Sequence, residues 1–323
     1  MKSIFRRSAA ILLAALILLA AVPGFAAQNE SCSWMKKIRG GTPITAINIP
    51  GTHDSATQYV NFSAISKTQE LSVYQQLCAG VRFLDIRLEK TEDGFIAVHS
   101  AADCREGKSV FSEKLTAAAI IADCRKFLKE NPSETILFKL KEDDGDAGKA
   151  FYSAFYDLYI RNSRSLWYIK NAIPTLGQVR GKIVLLRQTS IDETRFSNNT
   201  SGIDFSHCPY IGGRDRNDFR RGEITKLSGK KYASVYVQDT YKLEGSRKLE
   251  EVRSFLGKKL NPSEFNICFT SCTGMLVLPE TNARIINKAL LEDGFEKGRY
   301  YGIIAADFIT EELSAAIYKS NFA

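Results

Sequence analysis

The sequence predicts a single α/β barrel, and three observations predict it. Short apolar runs of β-branched or aromatic flavour alternate with stretches of helical periodicity from residue 44 to the C-terminus. Eight such runs occur, which suits a closed barrel better than an open, doubly wound sheet. No G-x-G-x-x-G or Walker pattern follows any of them, which argues against a nucleotide-binding fold.

The first 27 residues stand apart from this pattern. Lys2, Arg6 and Arg7 precede an apolar run over 9–22, and small residues follow to Ala27, the arrangement of a secretory signal peptide. The run is shorter than the ~20 residues a membrane span needs. Residues 28–323 are therefore expected to form one exported domain, long enough for a barrel of ~250 residues. Of 44 basic residues the leader takes three, leaving 41 against 36 acidic ones, a net charge of +5. That mild excess suits anionic surfaces or phosphate-bearing substrates. No basic block with interleaved aromatics accompanies it, so nucleic acid is not an expected partner. Seven cysteines follow the leader, and export predicts that some are paired. The number is odd, so one at least stays unpaired within the chain. Cys268 and Cys272 have no histidine near them in sequence, which argues against a zinc site.

Taken in order, the strands are expected at 44–49, 82–88, 95–99, 135–141, 183–187, 234–239, 265–271 and 301–307. The first stops at Pro50-Gly51. Helices are expected at 113–130, 146–160, 246–260, 282–293 and 310–319. The clearest is 113–130, with Ala117, Ile120, Ile121, Cys124, Phe127 and Leu128 at helical spacing, Ser112 as N-cap and Asn131-Pro132 as the stop. Only six residues separate 82–88 from 95–99, too few for a parallel crossover. "TEDG" (91–94) instead predicts a hairpin that brings His99 within a residue or so of lying opposite Arg87. Residues 190–232 read as a long polar loop. His207 within it reads as a surface residue, and Trp34 and Trp167 fit either an interface or the interior.

Polar residues collect where these strands end: His53 and Asp54 after the first, Asp85 and Arg87 in the second, then His99, Lys141, Arg187, Asp239 and Asp307. In a barrel the C-terminal strand ends share one mouth. Two histidines with carboxylates and cations suit acid–base cleavage of a phosphodiester. One imidazole takes a proton from the attacking hydroxyl and the other gives one to the leaving oxygen. A guanidinium, always charged and forked, suits the phosphoryl oxygens. Asp85 and Arg87 point the same way along their strand, so Asp85 is read as a partner of Arg87.

"IPGTHDS" (49–55), "GVRFLDIRL" (80–88), "NPSETILFKLKE" (131–142), "GKIVLL" (181–186), "VQDTYK" (237–242) and "GIIAADF" (302–308) resemble bacterial phosphatidylinositol-specific phospholipase C, in that family's order and across nearly the whole exported chain. The resemblance implies an irregular (β/α)8 barrel that cleaves phosphatidylinositol, and often glycosylated anchors, into diacylglycerol and a cyclic inositol phosphate. It implies His53 as general base oriented by Asp307, and His99 as general acid supported by Asp54. It implies Arg87 in place of a calcium ion, hence no metal cofactor, and Lys141, Asp239 and Tyr241 as inositol contacts. It further implies a monomer acting at a phosphatidylinositol-containing membrane. "VHSAAD" departs from the family around His99. The family's inositol-contacting arginine falls at Gln188, which leaves the neighbouring Arg187 as its candidate replacement, although successive strand residues face opposite sides. Two other classes are weighed against this one. A metal-dependent glycerophosphodiesterase or sphingomyelinase-D-like barrel needs a carboxylate cluster where Arg87 stands. A non-catalytic lipid-binding barrel does not need both histidines.

Overall fold

The computed structural model describes residues 30–143, 146–213, 215–273 and 277–323. The leader expected at 1–27 lies outside them. Among the described residues, eight parallel strands carry the architecture: β1 Ile49–Thr52, β2 Phe83–Lys90, β3 Thr135–Glu142, β4 Lys182–Gln188, β5 Ile203–Asp204, β6 Lys231–Gln238, β7 Phe265–Phe269 and β8 Ile303–Ala306. Their neighbours run β5-β4-β3-β2-β1-β8-β7-β6. Helices Ala117–Glu130, Gly245–Leu256 and Pro279–Asp293 fall between them in the chain, and Glu311–Lys319 follows the last. This is an irregular α/β barrel.

The irregularity is a seam. Among the described residues no backbone ladder closes the ring between β5 and β6; strand Arg220–Thr225 lies there instead, antiparallel to β6. The expected polar loop at 190–232 thus contains two strands, too short and too polar to stand out in the sequence. Asn171, fully buried, stitches the seam. Its amide donates to the Thr225 carbonyl at 2.8 Å, and its oxygen accepts from Tyr232 Oη at 2.7 Å and the Asp204 amide at 3.2 Å. Asn171→Ala is expected to cost about 2–4 kcal/mol in urea unfolding, because several buried groups each lose a partner at roughly 1 kcal/mol or more. A loss below about 0.5 kcal/mol, the scale of an ordinary surface change, would show that the seam is held elsewhere.

Alternation along the strands sorts the chain into two cores. Leu84, Ile86 and Leu88 of β2, with Ile136, Phe138 and Leu140 of β3, pack outward in one cluster with Ile120, Cys124, Phe127 and Leu128 of helix Ala117–Glu130. Phe83, Leu137, Val184, Val235, Phe265 and Ile303 fill the barrel interior. Trp34 and Trp167 are both buried, which removes them as membrane anchors. All seven cysteines are thiols, where export predicted pairing; the Cys32 thiol donates to the Cys78 carbonyl at 3.3 Å.

Two element boundaries differ from expectation for clear reasons. Residues Ile44–Ala46 form a 3₁₀ turn after Pro43, and β1 begins later, running through Pro50-Gly51 instead of stopping there. The Pro50 carbonyl accepts from the Arg82 amide at 2.9 Å, so the strand loses only the hydrogen bond that proline cannot donate. Gly51 is required by contact: a Cβ there would sit 2.8 Å from the Phe83 ring. The helix expected from 113 begins at Ala117, capped by Thr116 and not by Ser112. Residues 114–116 are held extended by bridges from Thr116 to Ile96 and from Lys114 to Arg105.

Candidate active site

Interior-facing residues climb each strand in steps of two, and the upper steps are polar. In β2 the order is Phe83, Asp85, Arg87; in β3 it is Leu137, Lys139, Lys141; in β4 it is Val184, Leu186, Gln188. β6 adds Val235, Val237 and then Asp239 just past its end; β8 adds Ile303, Ala305 and then Asp307. A cleft of about 260 Å³ opens over the top steps, lined among others by His53, Arg87, His99, Lys139, Lys141, Gln188, Asp239, Tyr241 and Asp307.

Turn geometry aims the titratable groups into it. Asp54, Ser100 and Phe308 have positive φ (40°, 51° and 47°), and they directly follow His53, His99 and Asp307. Left-handed backbone costs a non-glycine residue roughly 1–2 kcal/mol. Three such residues, each beside a candidate site residue, mark a site where strain is held by surrounding structure. Much of that holding comes from residues 66–69. Gln69, fully buried, donates to the carbonyls of His53 and Ala306 at 2.9 Å each. Thr68 Oγ1 donates to the His53 carbonyl at 3.1 Å, and the Phe308 amide donates to the Thr68 carbonyl at 2.6 Å. Asn287 Nδ2 donates to the carbonyl of Asp307 at 2.9 Å.

The two histidine rings stand nearly perpendicular, with centroids 6.4 Å apart. His53 Nδ1 lies 2.8 Å from Asp307 Oδ1, and its Nε2 lies 3.1 Å from Arg87 Nη2. The guanidinium can only donate, so in the neutral imidazole Nε2 is the acceptor and Nδ1 carries the proton toward Asp307. His99 Nδ1 donates to the Ser66 carbonyl at 2.7 Å, leaving Nε2 toward the cleft. Asp54 Oδ2 lies 3.3 Å from Nε2 of both histidines. The sequence reading gave Asp54 to His99 alone; the carboxylate bridges the pair. The hairpin registers as expected: Leu88 pairs with Ala97, which puts Val98 opposite Arg87 and His99 one residue away.

Arg87 ties the carboxylates together. Its Nε is ion-paired with Asp54, its Nη2 lies 3.3 Å from Asp85 and its Nη1 3.7 Å from Asp143. Lys139 Nζ lies 2.7 Å from Asp85 Oδ1, and Lys141 Nζ 2.9 Å from Asp143 Oδ1. Burial alone would push Asp85 up; Lys139 and Arg87 outweigh it and hold the carboxyl well below the usual range. Burial alone would lower His53, but Asp54 and Asp307 outweigh it and raise the imidazole to about 9. Burial lifts Asp307 against the pull of His53, and burial lifts Asp239 to about 6. His53, Asp54 and Asp85 place donor atoms within 4.8 Å of one another, close enough for a metal ion. Both of those carboxylates already face side-chain cations, Arg87 and Lys139, so the charge a metal would supply is present.

Arg187 is a correction. It projects from the outer face of β4, donates to the Ser201 carbonyl at 2.9 Å and pairs with Asp204 Oδ1 at 2.9 Å. It is fully buried away from the cleft, and Gln188 faces the cleft in its place. His207 is exposed, as expected. Lys139 was missed, although parity from Lys141 points to it. Ser66, Thr68, Gln69 and Asn287 left no trace in the sequence, since Thr68, Gln69 and Asn287 donate to distant backbone carbonyls and Ser66 offers its own carbonyl to His99.

Comparison with known proteins decides the family. The model of the phosphatidylinositol-specific phospholipase C X domain matches residues 47–189. A 1-phosphatidylinositol phosphodiesterase from Listeria monocytogenes is 32% identical over 300 residues, covering 89% of this chain and 84% of that one. The chain belongs to the phosphatidylinositol-specific phospholipase C family. A second 1-phosphatidylinositol phosphodiesterase, from Staphylococcus aureus, is 32% identical over 237 residues, 70% of this chain and 69% of the other. The fold agrees with crystal structures of that family. One from Staphylococcus aureus superposes with a TM-score of 0.72 at 23% identity, covering 92% of this chain and 99% of its own. One from Listeria monocytogenes gives 0.66 at 24% identity, covering 90% and 98%.

Proposed function

We propose that this protein is an exported enzyme that cleaves phosphatidylinositol into diacylglycerol and inositol 1,2-cyclic phosphate without a metal ion. The observation that carries the reading is the pair of histidines joined through one Asp54 oxygen, with Arg87 bound to the same carboxylate. His53 Nε2 takes the proton of the inositol 2-hydroxyl while Asp307 holds Nδ1–H. The freed oxygen attacks phosphorus and closes the five-membered ring. His99 Nε2 gives its proton to the departing diacylglycerol oxygen while the Ser66 carbonyl holds its other nitrogen. Arg87 faces the phosphoryl oxygens as their charge grows. The names of the relatives from Staphylococcus aureus and Listeria monocytogenes support this substrate.

A membrane surface is the setting. Phe62 is 73% exposed, Ile65 63% and Tyr210 65%; Ile65 and Tyr210 line the cleft itself. Large apolar side chains beside a charged mouth suit insertion at a lipid interface. One copy carries the whole cleft, so a monomer suffices. The test is incubation with phosphatidylinositol vesicles, with and without excess chelator, resolving products by phosphorus NMR. The expected product is the cyclic phosphate at equal rate in both. Phosphatidic acid, a glycerophosphodiester product, or a rate lost to chelator would overturn the reading.

A further inference from the structure

The floor of the cleft holds polar atoms that the chemistry above does not use. Lys139 Nζ donates to Asp85 Oδ1 at 2.7 Å, and its side chain is only 5% exposed. An ammonium has three hydrogens; Asp85 takes one, the Phe269 ring centroid lies 5.8 Å from Nζ, and no further oxygen or nitrogen acceptor meets it among the described residues. Gln188 Oε1 and Ser271 Oγ are buried without a hydrogen-bond partner among the described residues, and both residues line the cleft. Asp239 lines it as well, and its carboxylate meets no donor among the described residues. Lys248 does most to hold the Asp239 charge against burial, and Lys139 adds to it. Buried groups of this kind are normally paired. Three residues with buried, unpaired donors or acceptors, beside the half-buried Asp239 carboxylate, suit a ligand rich in hydroxyls, each of which both gives and accepts a hydrogen bond.

We propose that Lys139, with Gln188, Ser271 and Asp239, forms a hydroxyl-reading floor for the inositol ring, and that Lys139 supplies the cation expected from an arginine at position 188. This rests on the reading of the cleft as a phosphatidylinositol site. Ladder register explains the exchange. Lys141 pairs with Gln188 and Lys139 with Leu186, so Lys139 points inward one step below the glutamine on the adjacent strand. Asp85 neutralises the ammonium without satisfying it, so the lysine is a positioning residue for neutral hydroxyls and not a phosphate trap. A ring with a hydroxyl missing at this level leaves buried donors and acceptors unpaired, and the floor discriminates against it.

The test measures myo-inositol binding by titration calorimetry and phosphatidylinositol turnover on the full-length exported chain. Lys139→Met is expected to weaken myo-inositol binding about 10- to 100-fold, the usual effect of losing a charged hydrogen bond in a dry site. Because Lys139→Met alone strands the buried Asp85, the double variant Asp85→Asn, Lys139→Met removes both charges and keeps the core neutral. It is expected to fold with a melting temperature near the parent's and to bind inositol as weakly as the single variant. Lys139→Arg keeps the charge and is expected to retain binding within about tenfold. A purely structural lysine would lower the melting temperature and leave inositol affinity unmoved. A folded double variant that binds inositol as the parent does overturns the inference, while the parent's own turnover shows that the cleft reading stands. A parent that neither binds inositol nor cleaves the lipid overturns the cleft reading itself, and the inference falls with it.

Discussion

His53→Ala is expected to lower phosphatidylinositol turnover by about 10²- to 10⁴-fold, the usual yield of a positioned general base. The loss should appear in kcat more than in KM, because the imidazole takes a proton only as the reaction proceeds. The fold should survive. The His53 side chain is partly exposed, Asp54 keeps its pair with Arg87, and the Asp307 backbone stays anchored through Asn287. Near-normal turnover by a folded variant would remove His53 from the mechanism.

The same residue fixes a pH dependence. A base works only when neutral, so kcat/KM rises with pH through its pKa. Asp54 and Asp307 hold that pKa at about 9 against the opposing effect of burial, above the ordinary 6.5. The acid limb of the profile is therefore expected on the alkaline side of an ordinary histidine. Asp307→Asn removes one of the two carboxylates that raise it, so the limb moves to lower pH while the maximal rate falls. A limb that stays put in this variant would mean that another group titrates there.

What the sequence showed and hid follows from the range of each interaction. Strands 83–90, 95–99, 135–142 and 182–188 were legible to within a residue or two, because each is a continuous run of strand-forming residues bounded by polar turns. β5 was hidden, since two residues make a strand only when a neighbour already presents its edge. β1 was displaced because Pro50-Gly51 reads as a break, whereas β2 and β8 on either side hold it extended. The site residues were legible wherever one chemical type stood at a strand end: His53, Arg87, His99, Asp239 and Asp307 all reach the cleft. Arg187 failed on parity alone, which places it on the outer face of β4 with Leu185, and the same parity puts Lys139 inside with Lys141. Gln69 shows the limit. Its work is to hold two backbone carbonyls 16 and 237 residues away, and no local pattern encodes that.

Arg87→Ala is expected to cost about 10²- to 10³-fold in kcat, the scale for deleting one preorganised donor to a developing oxyanion. Three effects add to the loss of the donor. Asp54, Asp85 and Asp143 lose a shared cation and keep only the two lysines, Lys139 on Asp85 and Lys141 on Asp143. His53 loses a neighbour that lowers its pKa, so its acid limb moves to still higher pH. Asp54 also loses its orienting partner between the histidines. Arg87→Lys restores charge without the fork. An ammonium is one point where the guanidinium reaches Asp54, Asp85 and His53 at once, so most of the deficit should remain. The alanine variant also tests the proposal that the guanidinium takes the place of a metal. His53, Asp54 and Asp85 hold donor atoms within 4.8 Å, and without Arg87 they form an acidic, oxygen-rich pocket suited to calcium. Calcium is expected to raise the melting temperature of Arg87→Ala and to leave that of the parent unchanged, since only a ligand that binds the folded state stabilises it. Calcium stabilisation of the parent, or loss of parental activity to chelator, would mean that Arg87 accompanies a metal instead of standing in for one.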